Sequence, residues 1–512
     1  MASQSGQGEA RPLTGGRLFF AGFVLALANF MVVLDMTIAN VSVPHIAGGL
    51  GISPSQGVWV ITSYSVAEAI TVPLTGWLSQ RFGTVRWFVV ALAGFAFFSF
   101  LCGLSSSLAM LVLCRVGQGL MGGPLMPLTQ TLLIRIFPKE KQAQAMGMWA
   151  MTTVVAPIVG PILGGWISDN WSWPWVFFIN LPVAALCVVV VWQMLRQAET
   201  PRVKRGIDVV GMALLVLWVG SLQLMLDFGR ERDWFASSLI TGLGIVAAVG
   251  FLLFLAWELT EEHPAVDLKV LRHRGYSASL VTLSFCFGTF FASIVIIPQW
   301  LQSSLGYTAT EAGYAMAFNG VFAVVLSPVV ARLIGKVDSR LLVSGGIVWL
   351  AAVSLLRTHW TTGAGFWTFA LPQLLQGIAM PFFFVPLTTM ALGAVKPGET
   401  ASAAGLMSFL RTLSAAFGTS LATTLWEDHA RADRTALVDV LNGSDATLQQ
   451  LRGAGLSEEQ GRAMIDRLVD QQSLMLATNH IFLIATCLFA FGAAVVWLVP
   501  RPKRKVDASA AH

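Results

Sequence analysis

The sequence predicts an all-α membrane protein of about fourteen transmembrane helices, arranged as two six-helix bundles with two helices inserted between them. Three observations carry this. Of 512 residues, 55% are hydrophobic and only 12% charged, about half the charge of a soluble domain, so much of the apolar surface has to face lipid. The apolar residues fall into runs close to the roughly 20 residues a helix needs to cross a bilayer. Lys and Arg sit in the short segments between these runs, on alternate sides.

The expected spans lie near 18–41, 57–78, 87–104, 108–134, 143–168, 174–195, 207–227, 237–257, 276–300, 311–334, 341–357, 366–392, 401–425 and 477–499. With both termini inside, the inner segments hold 22 of the 32 Lys and Arg. They include Arg11, Arg81, Lys139, Lys204, Arg205, Lys336 and the basic run 501–505. An odd number of spans would put that basic run outside. The organisation is then a tail (1–17), a first bundle (18–195), a linker with two extra spans (196–275), a second bundle (276–499) and a tail (500–512). The second bundle includes the one sizeable outer segment, 426–476, with a helical pattern near 457–474. Residues 1–16 lack the apolar core and cleavage site of a secretory leader, so the first span is expected to serve as the insertion signal.

The five cysteines (Cys102, Cys114, Cys187, Cys286, Cys487) are odd in number, lie in apolar runs and form no CxxC. Buried inert thiols are expected, with neither a disulfide framework nor a metal site.

The two ends of the chain echo each other at an offset of 258 residues. Gln118-Gly119, Pro124 and Pro127-Leu128-Thr129 recur as Gln376-Gly377, Pro381 and Pro386-Leu387-Thr388, the prolines one residue out of step. Gly147 and Gly160 recur as Gly405 and Gly418. A looser echo sets Gly76 and Gly83 against Pro328 and Gly335. Repeated halves of one orientation are a transporter design, with the site at their interface.

Charge at membrane depth costs at least ~2.5–3.5 kcal/mol on insertion scales, so ionisable residues there are functional candidates. Four stand out as proton-coupling residues: Asp35, Glu68, Arg115 and Arg411. At ~1.5 Å rise per residue, Asp35 and Arg115 fall at similar depths, ~9 and ~10 Å below the outer ends of their spans, so they can pair. A carboxylate away from water favours its neutral form, while a nearby guanidinium favours the charged one. Such a group can take a proton on one side and lose it on the other.

A pocket for varied apolar compounds draws on aromatic, Met and amide side chains. The candidates are Phe30, Met31, Tyr64, Gln130, Trp149, Asn319, Gln376 and Phe383. For gating and close helix packing the candidates are Gly76, Arg81 and Gly83 at the end of the second span, and Pro157, Gly160, Pro161 and Gly164 in the fifth.

Together these residues resemble the major facilitator superfamily. Gly76–Gly83 is similar to its signature between the second and third spans, with Gln80 where that signature carries an acid. Leu111-Val112-Leu113-Cys114-Arg115-Val116-Gly117-Gln118-Gly119 is similar to its fourth-span signature, whose Arg the family ties to proton coupling. Gly160–Gly165 resembles the fifth-span signature of antiporters. Leu34-Asp35-Met36-Thr37-Ile38-Ala39-Asn40-Val41, with Trp59-Val60-Ile61-Thr62-Ser63 and Pro386-Leu387-Thr388-Thr389, is similar to the fourteen-helix drug:proton antiporters of EmrB type. The resemblance implies export of hydrophobic toxicants against protons from the inner membrane. It further implies a periplasmic adaptor of the EmrA type and an outer-membrane channel of the TolC type.

The alternatives are a narrow-range exporter, for example of fatty acids or a metabolite, and a membrane enzyme. No Ser/His/Asp set or His/Asp/Glu metal cluster lies in the spans, and the seven His sit at span ends, in loops or at the tail. There is no Walker loop, so the proton-motive force, rather than ATP or a cofactor, is the expected energy source.

Overall fold

In hydrocarbon a chain must satisfy its own backbone groups, and each apolar run does so as a helix. The computed structural model describes residues 14–499 apart from 204, 205, 207, 335, 441–444 and 454–456. Arg11, Lys204, Arg205, Gly335 and the basic run 501–505 lie outside the described residues. Among the described residues the fold is all-helical, with no strand.

The helices are α1 (Gly15–Leu50), α2 (Trp59–Thr71), α3 (Thr75–Phe82), α4 (Thr84–Gly103), α5 (Leu108–Gly122), α6 (Leu125–Ile136), α7 (Gln142–Asn170), α8 (Asn180–Leu195), α9 (Val209–Phe228) and α10 (Ser238–Thr260). There follow α11 (Arg274–Leu305), α12 (Ala309–Leu333), α13 (Ser339–Arg357), α14 (Phe366–Gly393), α15 (Thr400–Val440), α16 (Asp445–Gly453) and α17 (Glu458–Val495). The expected spans fall mainly on helical segments among the described residues. Among the described residues eleven segments are long and apolar enough to cross a membrane, and a twelfth is the bent α7. The other two are α2–α3, interrupted at 72–74 around Pro73, and the long polar-ended α15. The outward faces carry large apolar side chains such as Phe23, Leu113, Leu252 and Leu421, a surface that suits lipid and not water. This is a multi-pass membrane protein.

The chain forms two compact units. The first comprises Met1–Met225, Phe235–His273 and Ala391–Phe409; the second comprises Leu226–Trp234, Arg274–Met390 and Leu410–His512. This division differs from the expected one. The start of α15 packs in the first unit because small residues meet there: a Cβ on Gly76 would lie 2.7 Å from Ser402 Cα, and one on Gly405 3.0 Å from Val72 O.

Within the first unit, α1 and α7 approach closely for the same reason. A Cβ on Gly160 would run into the Thr37 side chain, and one on Gly164 would sit 3.0 Å from Ile38 O. Pro157 and Pro161 lie inside α7, which bends by 43° between Pro157 and Val159, as a helix does where proline removes a donor. The inserted α10 is the most exposed of the long helices, with 22% of its apolar window buried. It is anchored by Trp218 of α9, which meets Phe251 and Phe409 edge-to-face and Phe254 at a tilt.

In the second unit, segment 426–476 is largely helical. It comprises the end of α15, α16 and the start of α17. Helix α17 covers the expected helical pattern near 457–474, and Ser457 caps it through a reciprocal pair with Gln460. Arg434 bonds Asp466 at 2.5 Å and Asp470 at 2.7 Å, and Trp426 Nε1 donates to Thr478 Oγ1 at 2.9 Å, tying the two long helices together.

Candidate proton-coupling site

Asp35 lies midway along α1 and is 1% exposed. Its Oδ2 accepts from Arg115 Nη1 of α5 at 2.7 Å. Its Oδ1 accepts from Gln118 Nε2 at 3.0 Å and from Asn180 Nδ2 of α8 at 2.6 Å. Arg115 and Gln118 are three residues apart on one face of α5, so one helix presents both donors. Arg115 is itself 1% exposed. It donates through Nη1 to Gln118 Oε1 at 2.8 Å and through Nε to Val60 O of α2 at 3.0 Å. Asn180 also donates to Ser99 Oγ at 3.1 Å, which in turn donates to Phe177 O.

Tyr64 extends this centre toward Glu68. The Arg115 guanidinium lies 4.2 Å from the Tyr64 ring centre, a cation–π contact. The Tyr64 hydroxyl is buried with no hydrogen-bond partner among the described residues. Glu68 stands one turn further along α2 and is 3% exposed. Gly119 of α5 and Gly123 just past its end let that stretch of α2 come close: Cβ atoms there would approach Glu68 N to 3.1 Å and Glu68 O to 2.9 Å. So three of the four expected charges, with Tyr64, occupy one region of the first unit. Arg411 belongs to the second unit, where its guanidinium lies 5.5 Å from the Phe287 ring.

The other candidates are dispersed within the two units. In the first, Met31 and Trp149 are buried and Phe30 is half-buried. Gln130 is buried with neither amide atom bonded among the described residues. In the second unit, Phe383 packs against Phe384 at 4.7 Å. Asn319 packs its backbone against Gly377 and leaves Oδ1 without a partner among the described residues. Gln376 accepts from Arg357.

The turn between α3 and α4 is built on Gly83, whose φ of +93° suits glycine alone. Arg81 lies over Trp77 and Phe82. The acid missing at Gln80 has a neighbour from elsewhere. Glu199, after α8, accepts from Val85 N at 3.0 Å and Arg86 N at 2.9 Å. A Cβ on Gly83 would meet its carboxylate at 2.6 Å. Thr84 N donates to Thr200 Oγ1, Val203 N to Gln80 O and Trp77 Nε1 to Gly206 O. The segment after α8 is thus stitched under this turn. Asn180, Glu199 and Arg357 were not singled out from the sequence. Asn180 and Arg357 were legible only as polar residues at the edges of apolar runs, and Glu199 only as one charge among several.

The Major Facilitator Superfamily model matches residues 25–422. The chain belongs to the major facilitator superfamily. It is 43% identical over 499 residues to the multidrug export protein EmrB of Escherichia coli K12, covering 96% of this chain and 98% of that protein. It is 42% identical to the fatty acid resistance protein FarB of Neisseria gonorrhoeae, covering 96% and 98%. Among solved structures it resembles the proton:xylose symporter XylE (TM-score 0.59, 13% identity, 94% of this chain and 96% of that one). It also resembles the human organic anion transporter MFSD10 (TM-score 0.57, 16% identity, 93% and 100%). At those identities the two structures speak to the facilitator fold alone.

Proposed function

We propose that this facilitator is a proton-driven antiporter that exports hydrophobic or amphipathic toxic compounds from the cytoplasm. The observation that carries the reading is the buried Asp35–Arg115 pair at 2.7 Å, in a chain 43% identical to a multidrug export protein. In the charged state Asp35 satisfies Arg115, Gln118 and Asn180 at once. Protonation removes the charge and converts an acceptor-only group into one that also donates. Arg115 then loses its counter-charge, and α1, α5 and α8 lose the contact they share. Deprotonation toward the other side restores it. Tyr64 and Glu68 extend the route from this pair along α2. Export follows if substrate binding and protonation exclude each other.

The alternating placement of Lys and Arg supports the inner membrane of a bacterium, with both termini cytoplasmic. Segment 426–476 then projects outward, where an adaptor of the EmrA type, continuing to a channel of the TolC type, would dock. A narrower substrate range, fatty acids among them, is the second reading, favoured by the 42% identity to FarB.

The test is proton-driven uptake of a lipophilic dye into inverted membrane vesicles. Asp35→Asn is expected to insert normally and lose gradient-driven uptake. Uptake at the wild-type rate in that variant would remove Asp35 from the coupling step.

A further inference from the structure

Among the described residues Asp35 has three hydrogen-bond partners, and they differ in what they can do once it takes a proton. The charged carboxylate only accepts, so each partner presents a donor to it. A protonated Asp35 carries an O–H that needs an acceptor, and in a buried site an unmet donor is costly. Arg115 has none to give, since a guanidinium only donates. Gln118 Oε1 already accepts from Arg115 Nη1 at 2.8 Å and from Cys102 Sγ at 3.7 Å. The idle Tyr64 hydroxyl lies beside Gly122, one turn beyond Gln118. Asn180 is different. Its Nδ2 faces Asp35 Oδ1 at 2.6 Å, while its own Oδ1 is buried without a partner among the described residues.

A half-turn of the Asn180 amide exchanges those two ends. Nitrogen and oxygen sit on one planar group, and a carboxylic acid then meets the oxygen as a carboxylate meets the nitrogen. The same Nδ2 also donates to Ser99 Oγ at 3.1 Å, and the Ser99 hydroxyl donates to Phe177 O at 2.9 Å. With the amide oxygen in that place, Ser99 keeps its bond to Asn180 only by donating to it, and so lets go of Phe177 O. Every bond along the line from Asp35 through Asn180 to Ser99 reverses its direction together.

The line ends in the stretch 171–179 between α7 and α8. The Phe177 ring lies 5.6 Å from the Arg115 guanidinium and edge-on to Trp173 at 6.3 Å. Trp173 in turn covers Gly49 near the end of α1, where a Cβ would run into its ring. One short stretch thus touches the charged pair, the last turn of α1 and the start of α8.

We propose that Asn180 is a hydrogen-bond polarity switch: it donates to Asp35 in the charged state, turns to accept from it in the protonated state, and through Ser99 frees the stretch between α7 and α8. The step adds one proton to Asp35 Oδ1; Asn180 and Ser99 keep their own protons, and only hydrogen bonds change. The inference rests on the antiport reading and deepens it, since it names how the arrival of the proton reaches a second element.

The test joins transport to infrared difference spectra, taken between alkaline and acid buffer, of the full-length protein in proteoliposomes. The wild type is expected to show a carboxyl band and a side-chain amide change appearing together on acidification, and Asp35→Asn should lose both. Asn180→Leu, similar in size without polar atoms, should lose the amide change, move the carboxyl band to higher frequency as its O–H goes unbonded, and cut gradient-driven dye uptake about tenfold or more. Asn180→Thr, whose hydroxyl can donate or accept, should recover part of that uptake. Ser99→Ala should keep both spectral changes and lose coupled uptake. If Asn180→Leu fails to insert, Asn180→Thr, Ser99→Ala and the wild-type spectrum decide the matter. The same amide change in the wild type and in Asn180→Thr, uptake as poor in Asn180→Thr as in Asn180→Leu, or wild-type uptake in Asn180→Leu or Ser99→Ala would overturn the switch and leave Asn180 a fixed strut between α1 and α8. Absence of gradient-driven uptake by the wild type would instead count against the antiport reading, while the spectra still decide whether Asn180 turns.

Discussion

Asp35 accepts three hydrogen bonds from side chains on two helices, and that sets what its loss does. Asp35→Asn leaves Arg115 buried beside an amide, and uncompensated charges of this kind cost about 3–5 kcal/mol. The variant should melt at a distinctly lower temperature than the wild type in the same detergent. Adding Arg115→Gln removes the second charge, and the double variant should regain much of the lost melting temperature while gradient-driven export stays absent. A double variant less stable than the single one would show that Arg115 is held by Val60 and Tyr64 more than by Asp35. At this scale the pair was legible, since a carboxylate and a guanidinium stand out in apolar runs and their depths matched. Asn180 was not. Neutral amides are common in spans, and only the rotation of α8 about its axis decides whether one faces a carboxylate or lipid.

The α3–α4 turn shows the same limit for an element. Its glycines and Arg81 were readable, as was the missing acid at Gln80. Glu199 was hidden because it lies among Arg196, Arg202, Lys204 and Arg205, where a solvated charge is the plain reading. Its position is set by the path of the segment after α8, which no local pattern encodes. Its carboxylate faces two free N–H groups at the start of α4, where negative charge is favourable. Glu199→Ala should therefore cost about 1–2 kcal/mol and speed hydrogen exchange at the Val85 and Arg86 amides. Glu199→Gln, which keeps an acceptor, should lose less. Unchanged exchange in Glu199→Ala would mean that the hydrogen bonds are incidental.

Across the whole molecule, helical class and the eleven or twelve longest apolar spans were legible because bilayer thickness sets helix length. The division into units was not, because it depends on small-residue contacts such as Gly76 with Ser402 that join distant stretches. Glu399 makes another such join. It bonds Arg272 at 2.7 Å and His273 at 2.8 Å, closing the segment before α11 onto the one before α15. Burial raises its pKa, but the bonds from His273 and Lys396 N and the charges of His273 and Arg272 outweigh that and hold it below the usual range. A depressed carboxylate stabilises the fold above its unfolded pKa of about 4.3 and loses that contribution as pH falls through the lower folded value. Arg272 is largely exposed, so the effect is a few tenths to about 1 kcal/mol. Glu399→Gln should melt below the wild type at pH 7, and the gap should close in acid below about pH 4. A gap that persisted in acid would assign the loss to packing rather than charge.

The outer reaches of α15 and α17 have a practical bearing. Past the expected spans, residues 426–440 and 458–476 run on for about 22 and 28 Å at 1.5 Å per residue, cross-braced by Arg434 and Trp426. Most small polytopic carriers vanish inside a detergent belt and offer electron microscopy nothing to orient by. This one carries a landmark in its paired helices, held together by those bonds, to which a binding fragment can be raised or a fusion grafted.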